Sequence, residues 1–133
     1  MKDGCTVIEG ILDTNIIIDL LHLIPSALMW GNSVVSNTFA VTSIVWFETM
    51  NGARNKVELA RTIKFISRFP IEPTIAVDED WARAQFIQYQ LNHGVEYQDS
   101  MIAAIAVRLN IPLYTRNTRH FAVLPNLDLG QPY

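Results

Sequence analysis

Apolar residues along this chain change their spacing several times, and each change marks an element. Val7, Ile8, Ile11 and Leu12 make Cys5 to Leu12 a short strand. Thr14-Asn15 then opens a helix over Ile16 to Leu23, with Asp13 or Thr14 as its N-cap. Pro25-Ser26 starts a second short helix that fades near Gly31-Asn32. Phe39 to Thr42 is rich in β-forming residues, and Ser43 reads as the cap of a helix that carries Glu48 and ends near Gly52.

In the second half, Val57 to Phe69 is an amphipathic helix stopped by Pro70, with Leu59, Ile63 and Ile66 facing inward. Ile71 to Val77 is a strand candidate that Pro73 weakens. Asp78, Glu79 and Asp80 place negative charge at the start of a helix that runs to His93, with Gly94 just past its end. Gln98 or Asp99 opens a further helix, its inner face Ile102, Ile105, Ala106 and Leu109, ending at Asn110 before Pro112. Leu113 to Thr115 is a strand, and Asn117 to Phe121 a turn or short helix. Strands and helices alternate throughout, so the pattern predicts an α/β domain around a mainly parallel sheet.

Composition narrows this picture. At 133 residues, 50% apolar and 17% charged, the chain has the size of one domain and the content of a globular core. Its net charge of −3 gives no general attraction to nucleic acid, which binds through Lys and Arg. Locally the balance differs: Arg54, Lys56, Arg61, Lys64 and Arg68 cluster within residues 54–68, and Arg116 and Arg119 flank a polar turn. The simplest reading of Arg61, Lys64 and Arg68 is the solvated face of a helix. The single cysteine, Cys5, has no partner for an internal disulfide and fits a reducing compartment, as a bystander thiol. The longest apolar stretch, Ile16 to Trp30, is broken by Asp19, His22 and Pro25, so no membrane span is expected. With no signal peptide evident either, a cytoplasmic location is expected.

Candidate chemistry comes from three acids in apolar surroundings. Asp13 ends the first strand, Glu48 follows Ile44-Val45-Trp46-Phe47, and Asp99 precedes Met101-Ile102-Ala103-Ala104. Each has an ordinary structural reading: Asp13 and Asp99 as acids at helix starts, Glu48 on a solvated stripe. Together they have another. Ligands of parallel sheets gather at the carboxyl ends of strands, where Asp13 and Thr115 to Asn117 fall. Several carboxylates in one crevice repel, and call for a hard divalent ion such as Mg²⁺ or Mn²⁺.

Four blocks in order extend this: Leu12-Asp13-Thr14-Asn15, Ser43 through Glu48, Asp99-Ser100-Met101-Ile102-Ala103-Ala104, and Thr115-Arg116-Asn117-Thr118-Arg119-His120-Phe121. With these the chain resembles the PIN domain, most closely the toxin ribonucleases of VapBC toxin–antitoxin systems. The resemblance implies a PIN-like three-layer α/β/α fold over residues 1–133 and a Mg²⁺- or Mn²⁺-dependent endoribonuclease. Carried over by position, Asp13, Glu48 and Asp99 form the metal site and Asn117 completes the catalytic set. Asn15 orients Asp13, Thr115 supports the neighbouring carboxylates, and Arg116, Arg119 and His120 contact RNA. It also implies a homodimer and a cognate antitoxin that brings a basic side chain to the acids. Many members carry another acid at the position of Asn117 or of His120; here neither is acidic, so a single metal, held more weakly, is expected. His120 reads as an RNA-phosphate contact or proton carrier, or as a partly buried ring against Phe121.

Two other readings compete. A catalytically inactive RNA-binding or regulatory PIN module is motivated by that missing acid. A phosphoacceptor domain of the receiver type also places Asp at a strand end, but the chain lacks an acid pair after its first strand and a Lys after its last. His22 and His93 read as surface and helix-end residues, and Trp30, Trp46 and Trp81 as core or interface.

Overall fold

The computed structural model describes residues 7–33 and 38–133. Cys5 and Thr6, the start of the expected opening strand, lie outside the described residues, and residues 7–9 are not strand: β1 begins only at Gly10. The elements, in order, are β1 (Gly10–Leu12), α1 (Thr14–Leu21), α2 (Pro25–Asn32), β2 (Phe39–Thr42), α3 (Ser43–Asn51), α4 (Lys56–Ile66), β3 (Ile71–Glu72), α5 (Ala76–His93), α6 (Tyr97–Leu109), β4 (Leu113–Tyr114), α7 (Thr118–Phe121) and β5 (Leu129–Gly130). The five strands form one sheet of order β3-β2-β1-β4-β5 with every pairing parallel, the centre of a three-layer α/β/α fold.

That order places the switch point beside β1. The chain moves outward from β1 to β2 and β3, then returns through α5 and α6 to lay β4 on the opposite side. Ile11 faces Ala40 on one neighbour and Leu113 on the other. The connections leaving β1 and β4 therefore diverge and open a crevice at their carboxyl ends. Asp13 sits at its β1 side, its backbone N–H bonded to Tyr114 O at 3.0 Å, and Thr115 at its β4 side.

The inner strands β1 and β2 are buried at every position, which explains their apolar content, while the edge strand β3 leaves Ile71 half exposed. Ile11, Ala40, Val41 and Leu113 are fully buried, as are Ile16 and Ile17 of α1 and Ile105 of α6. Each such large side chain contributes roughly 1.5–3 kcal/mol of burial. Helix α6 is buried on most of its circumference, at Ser100 and from Ile102 through Ala106, because it packs against α5, α3 and α7. Asn110 ends it in the left-handed conformation, as Gly94 ends α5.

Several local expectations change. Thr42, not Ser43, caps α3: its Oγ1 accepts from Val45 N at 3.2 Å. In the apolar run before Glu48, Val45 is buried but Phe47 is 65% exposed, so one side of that helix meets solvent. In α4 the inward stripe is Thr62, Phe65 and Ile66, continued by Phe69 just past its end, while Ile63 and Leu59 are exposed. The stripe is rotated because α4 packs against α1 and α3 together. Beyond Glu72 the strand candidate stops and α5 begins at Ala76. There Asp78 Oδ2 accepts from Ile75 N, and its Oδ1 binds Arg108 Nε of α6 at 2.8 Å. Strand β5 had no forecast. Among the described residues no single helix is long and apolar enough to cross a membrane; α1 and α2, the apolar stretch, meet at a bend of 103°.

Candidate active site

Asp13 closes β1 and caps α1 at once. Its Oδ1 accepts from Thr14 N at 2.8 Å, and its Oδ2 from Thr115 Oγ1 at 2.8 Å. Asn15 Nδ2 points at the same Oδ2, at 3.4 Å, and reaches Thr115 Oγ1 at 3.2 Å. Asp13 is thus both cap and site residue: with one oxygen on the helix, the second belongs to the crevice. The loop after β4 is built round Thr115, whose Oγ1 also accepts from Asn117 N at 2.9 Å. Asn15 Oδ1 accepts from Arg116 N at 3.1 Å.

Glu48 arrives from α3 and is held by Thr14, a residue whose sequence position marks it only as a cap. Thr14 Oγ1 donates to Glu48 Oε1 at 2.6 Å, which ties α3 to the start of α1. Asp99 comes from the first turn of α6. Its Oδ2 is buried without a hydrogen-bond partner, with His120 Nδ1 at 3.8 Å. Glu96, the N-cap position of α6, completes a group with Asp99 and His120 in which potential ligand atoms lie within 4.8 Å of one another.

Electrostatics shows that these side chains share one space. Burial raises the Asp13 carboxyl above its ordinary value, against the pull of Thr115, Thr14 and His120. Burial also raises Glu48; its bond from Thr14 opposes this, while Asp13 and Glu96 add repulsion. Asp99 is pushed up to about 6 by burial, then by Asp13 and Glu96, with His120 pulling the other way. Carboxylates held so close and so dry are at odds with one another unless a cation offsets them. The donor set fits a divalent ion: hard oxygens at the crevice, one of them buried and unpartnered.

Of the residues singled out from sequence, Asp13, Asn15, Glu48, Asp99, Thr115 and His120 are brought together. Asn117 lies beside them through its backbone bond to Thr115, and its side chain makes no cap hydrogen bond. Arg119 is exposed at the first turn of α7. Arg116 instead pairs with Asp19 of α1, Nε to Oδ2 at 2.6 Å. Glu96 and the hydroxyl of Thr14 were missed. The spacing Glu96–Asp99, i to i+3 across a helix start, was the available signal for the first.

A doubly wound parallel sheet with an acid-lined crevice at its switch point defines the class. Within it, this chain belongs to the PIN-domain family, whose sequence model matches residues 10–127. It is 34% identical over 129 residues to Ribonuclease VapC19 of Mycobacterium tuberculosis, covering 92% of this chain and 98% of the relative. Among solved structures, the fold is similar to a toxin–antitoxin complex from Klebsiella pneumoniae (TM-score 0.77, 30% identity, covering 94% of this chain and 98% of that one). It is similar as well to VapBC2 from Rickettsia felis bound to a DNA fragment from its promoter (TM-score 0.77, 26% identity, covering 92% and 98%).

Proposed function

We propose that the chain is a metal-dependent endoribonuclease, the toxin of a VapBC-type pair, using Mg²⁺ or Mn²⁺. The observation that carries this reading is the meeting of Asp13, Glu48 and Asp99, from three separate elements, at the β1–β4 crevice, with Asp99 Oδ2 buried and unpartnered. Asp13, Glu48 and Asp99 would hold the ion, with Glu96 and His120 beside them. A divalent ion, when bound, acidifies water and offsets charge on the phosphoryl oxygens of a phosphodiester.

The chain's own residues do the positioning. Thr115 and Asn15 fix the rotamer of Asp13, and Thr14 that of Glu48. Asn117 sits in the same loop, and its amide is a group that can hydrogen-bond water or RNA. Arg119, exposed on α7, supplies a cation for the RNA backbone without reading sequence.

The antitoxin partner follows from the relatives' complexes. A groove of about 570 Å³ supports it, lined by Leu20, Leu28, Trp30 and Phe65 and edged by Arg61, Lys64 and Arg68. Such a groove suits an apolar segment bearing acids. Self-association is supported by Ile87 and Leu91 of α5, 73% and 88% exposed and on one helix face.

Replacing Asp13 with Asn tests the reading. Cleavage of single-stranded RNA in Mn²⁺ is expected to disappear while the circular-dichroism spectrum is kept. Undiminished cleavage would overturn the assignment; a wild type that neither binds Mn²⁺ nor cuts would favour the inactive RNA-binding module.

A further inference from the structure

Arg116 follows Thr115 directly, and its two ends are held by different turns of one helix. Its backbone N–H donates to Asn15 Oδ1 at 3.1 Å. Its guanidinium reaches Asp19, four residues further along α1, with Nε at 2.6 Å from Oδ2 and Nη2 at 3.4 Å from Oδ1. The Asp19 side chain is only 14% exposed. Its Oδ2 also accepts from the hydroxyl of Tyr133 at 2.7 Å.

Tyr133 lies three residues past β5 and is itself fixed, its ring packed 6.2 Å from that of Trp30. Burial and the bond to Asp19 hold its phenol protonated to a pH well above the usual. One shielded carboxylate therefore joins α1, the loop after β4 and the segment after β5. Hydrogen bonds to an ionised acceptor are roughly twice as strong as neutral ones, so this junction is stiff.

We propose that Asp19 and Tyr133 are positioning residues: they clamp Arg116, and through it the Thr115–Asn117 loop that hydrogen-bonds Asp13. The proposal rests on the reading of Asp13 as an active-site acid. Asn15 grips the loop from inside the crevice, while Asp19 and Tyr133 grip it from outside. Without the outer grip, Arg116 swings free, and the loop's bonds to Asn15 and Thr115 must hold alone. The clamp also neutralises Arg116, so that among the described residues the neighbouring Arg119 of α7 is the arginine here with no ion pair.

The test needs no knowledge of the RNA target. Amide hydrogen exchange is measured in the whole chain for wild type, Tyr133→Phe and the stronger Asp19→Asn. The amides of Arg116 and Asn117 are expected to exchange roughly 5-fold faster in the first variant and roughly 10-fold faster in the second. The amides of Ile11 and Asp13, bonded within the sheet, are expected to keep their rates. Calorimetric titration with Mn²⁺ is expected to show roughly 10-fold weaker binding in Asp19→Asn, the lower range for loss of support around a metal ligand. Wild-type exchange at Arg116 and Asn117 in both variants would overturn the clamp. So would equal acceleration across β1, since that marks general destabilisation. Should Asp13→Asn leave Mn²⁺ binding intact, the active-site reading fails instead, and the exchange rates still decide whether the clamp exists.

Discussion

Thr14 Oγ1 and Glu48 Oε1 are joined by a 2.6 Å hydrogen bond across 34 residues of sequence. The residue after Asp13 therefore sets the position of the second acid, and one turn of chain controls two carboxylates. Thr14→Val keeps the shape and removes the donor. The Glu48 carboxyl is already raised by burial, and Thr14 is the contact that lowers it. Losing that contact raises it further, so the ionised form is reached only at higher pH. Cleavage in Mn²⁺ is expected to fall about 10-fold near neutral pH, the size of one charged hydrogen bond. The acid limb of the pH–rate profile is expected to move to higher pH. A limb that stays in place removes Glu48 ionisation from the rate.

Tyr114 is sandwiched between two glycines on flanking strands. A Cβ on Gly130 would lie 2.7 Å from Tyr114 Cδ1, and one on Gly10 2.8 Å from its Cε2. The ring is also stacked on Phe39 and packed against Trp30, so it has little room to yield. Gly130→Ala is expected to cost about 1–3 kcal/mol, the range for overpacking a filled core. In a Tyr114→Ala background the same change is expected to cost much less. Urea denaturation of the four proteins measures this coupling.

Which parts of this molecule were legible follows from where their determinants lie. Phe39–Thr42 and the helix from Tyr97 carry theirs locally, as apolar runs bounded by polar caps, and both were read with little error. Leu129–Gly130 is a strand only because Leu113–Tyr114 pairs with it, and nothing within two residues announces a distant partner. Residues 73–75 are apolar enough for a strand, but Pro73 cannot donate to a ladder, so β3 stops at Glu72. Asp13 and Asp99 were visible as acids at element starts in apolar contexts, and Glu48 because it follows four apolar residues within α3. Glu96 lies in polar surroundings, and its approach to Asp99 and His120 depends on the turn into α6 and the placing of α7. The pairing of Arg116 with Asp19 was not legible because the two are 97 residues apart in sequence.

Glu96 and His120 surround the unpartnered oxygen of Asp99, and their donors differ in kind. A carboxylate favours hard ions, whereas imidazole gains with later transition metals. Glu96→Gln is expected to weaken Mg²⁺ and Mn²⁺ alike by roughly 10-fold, through loss of a charge beside the ion. His120→Ala is expected to weaken Co²⁺ binding roughly 10-fold and to change Mg²⁺ affinity by less than about 2-fold. Calorimetric titration of each ion into the two variants reads both effects. Equal losses for Co²⁺ and Mg²⁺ in His120→Ala would mean that the ring acts by charge or packing and not as a ligand.

Folding holds Asp99 in surroundings that disfavour its charge. Its carboxyl moves from 3.8 to about 6, with burial as the largest cause and Asp13 and Glu96 behind it. A group raised on folding favours the native state while protonated, below the unfolded value. That advantage is lost as pH climbs through the folded value near 6 and stays lost above it. In metal-free protein Asp99→Asn carries no such penalty, and its amide can donate to the acids around it. The variant is therefore expected to match wild type near pH 4 and to exceed it at neutral pH by of the order of 1–2 kcal/mol, allowing for screening of a partly exposed group. Thermal melts of the two chelator-treated proteins between pH 4 and 8 measure the divergence. Adding Mn²⁺ is expected to raise the wild type and leave the variant nearly unmoved, because the ion supplies what the ionised oxygen lacks. A wild type that is the more stable of the two at pH 7 without metal would mean that Asp99 has a partner for its charge in the fold itself, and the case for a cation at this oxygen would fail.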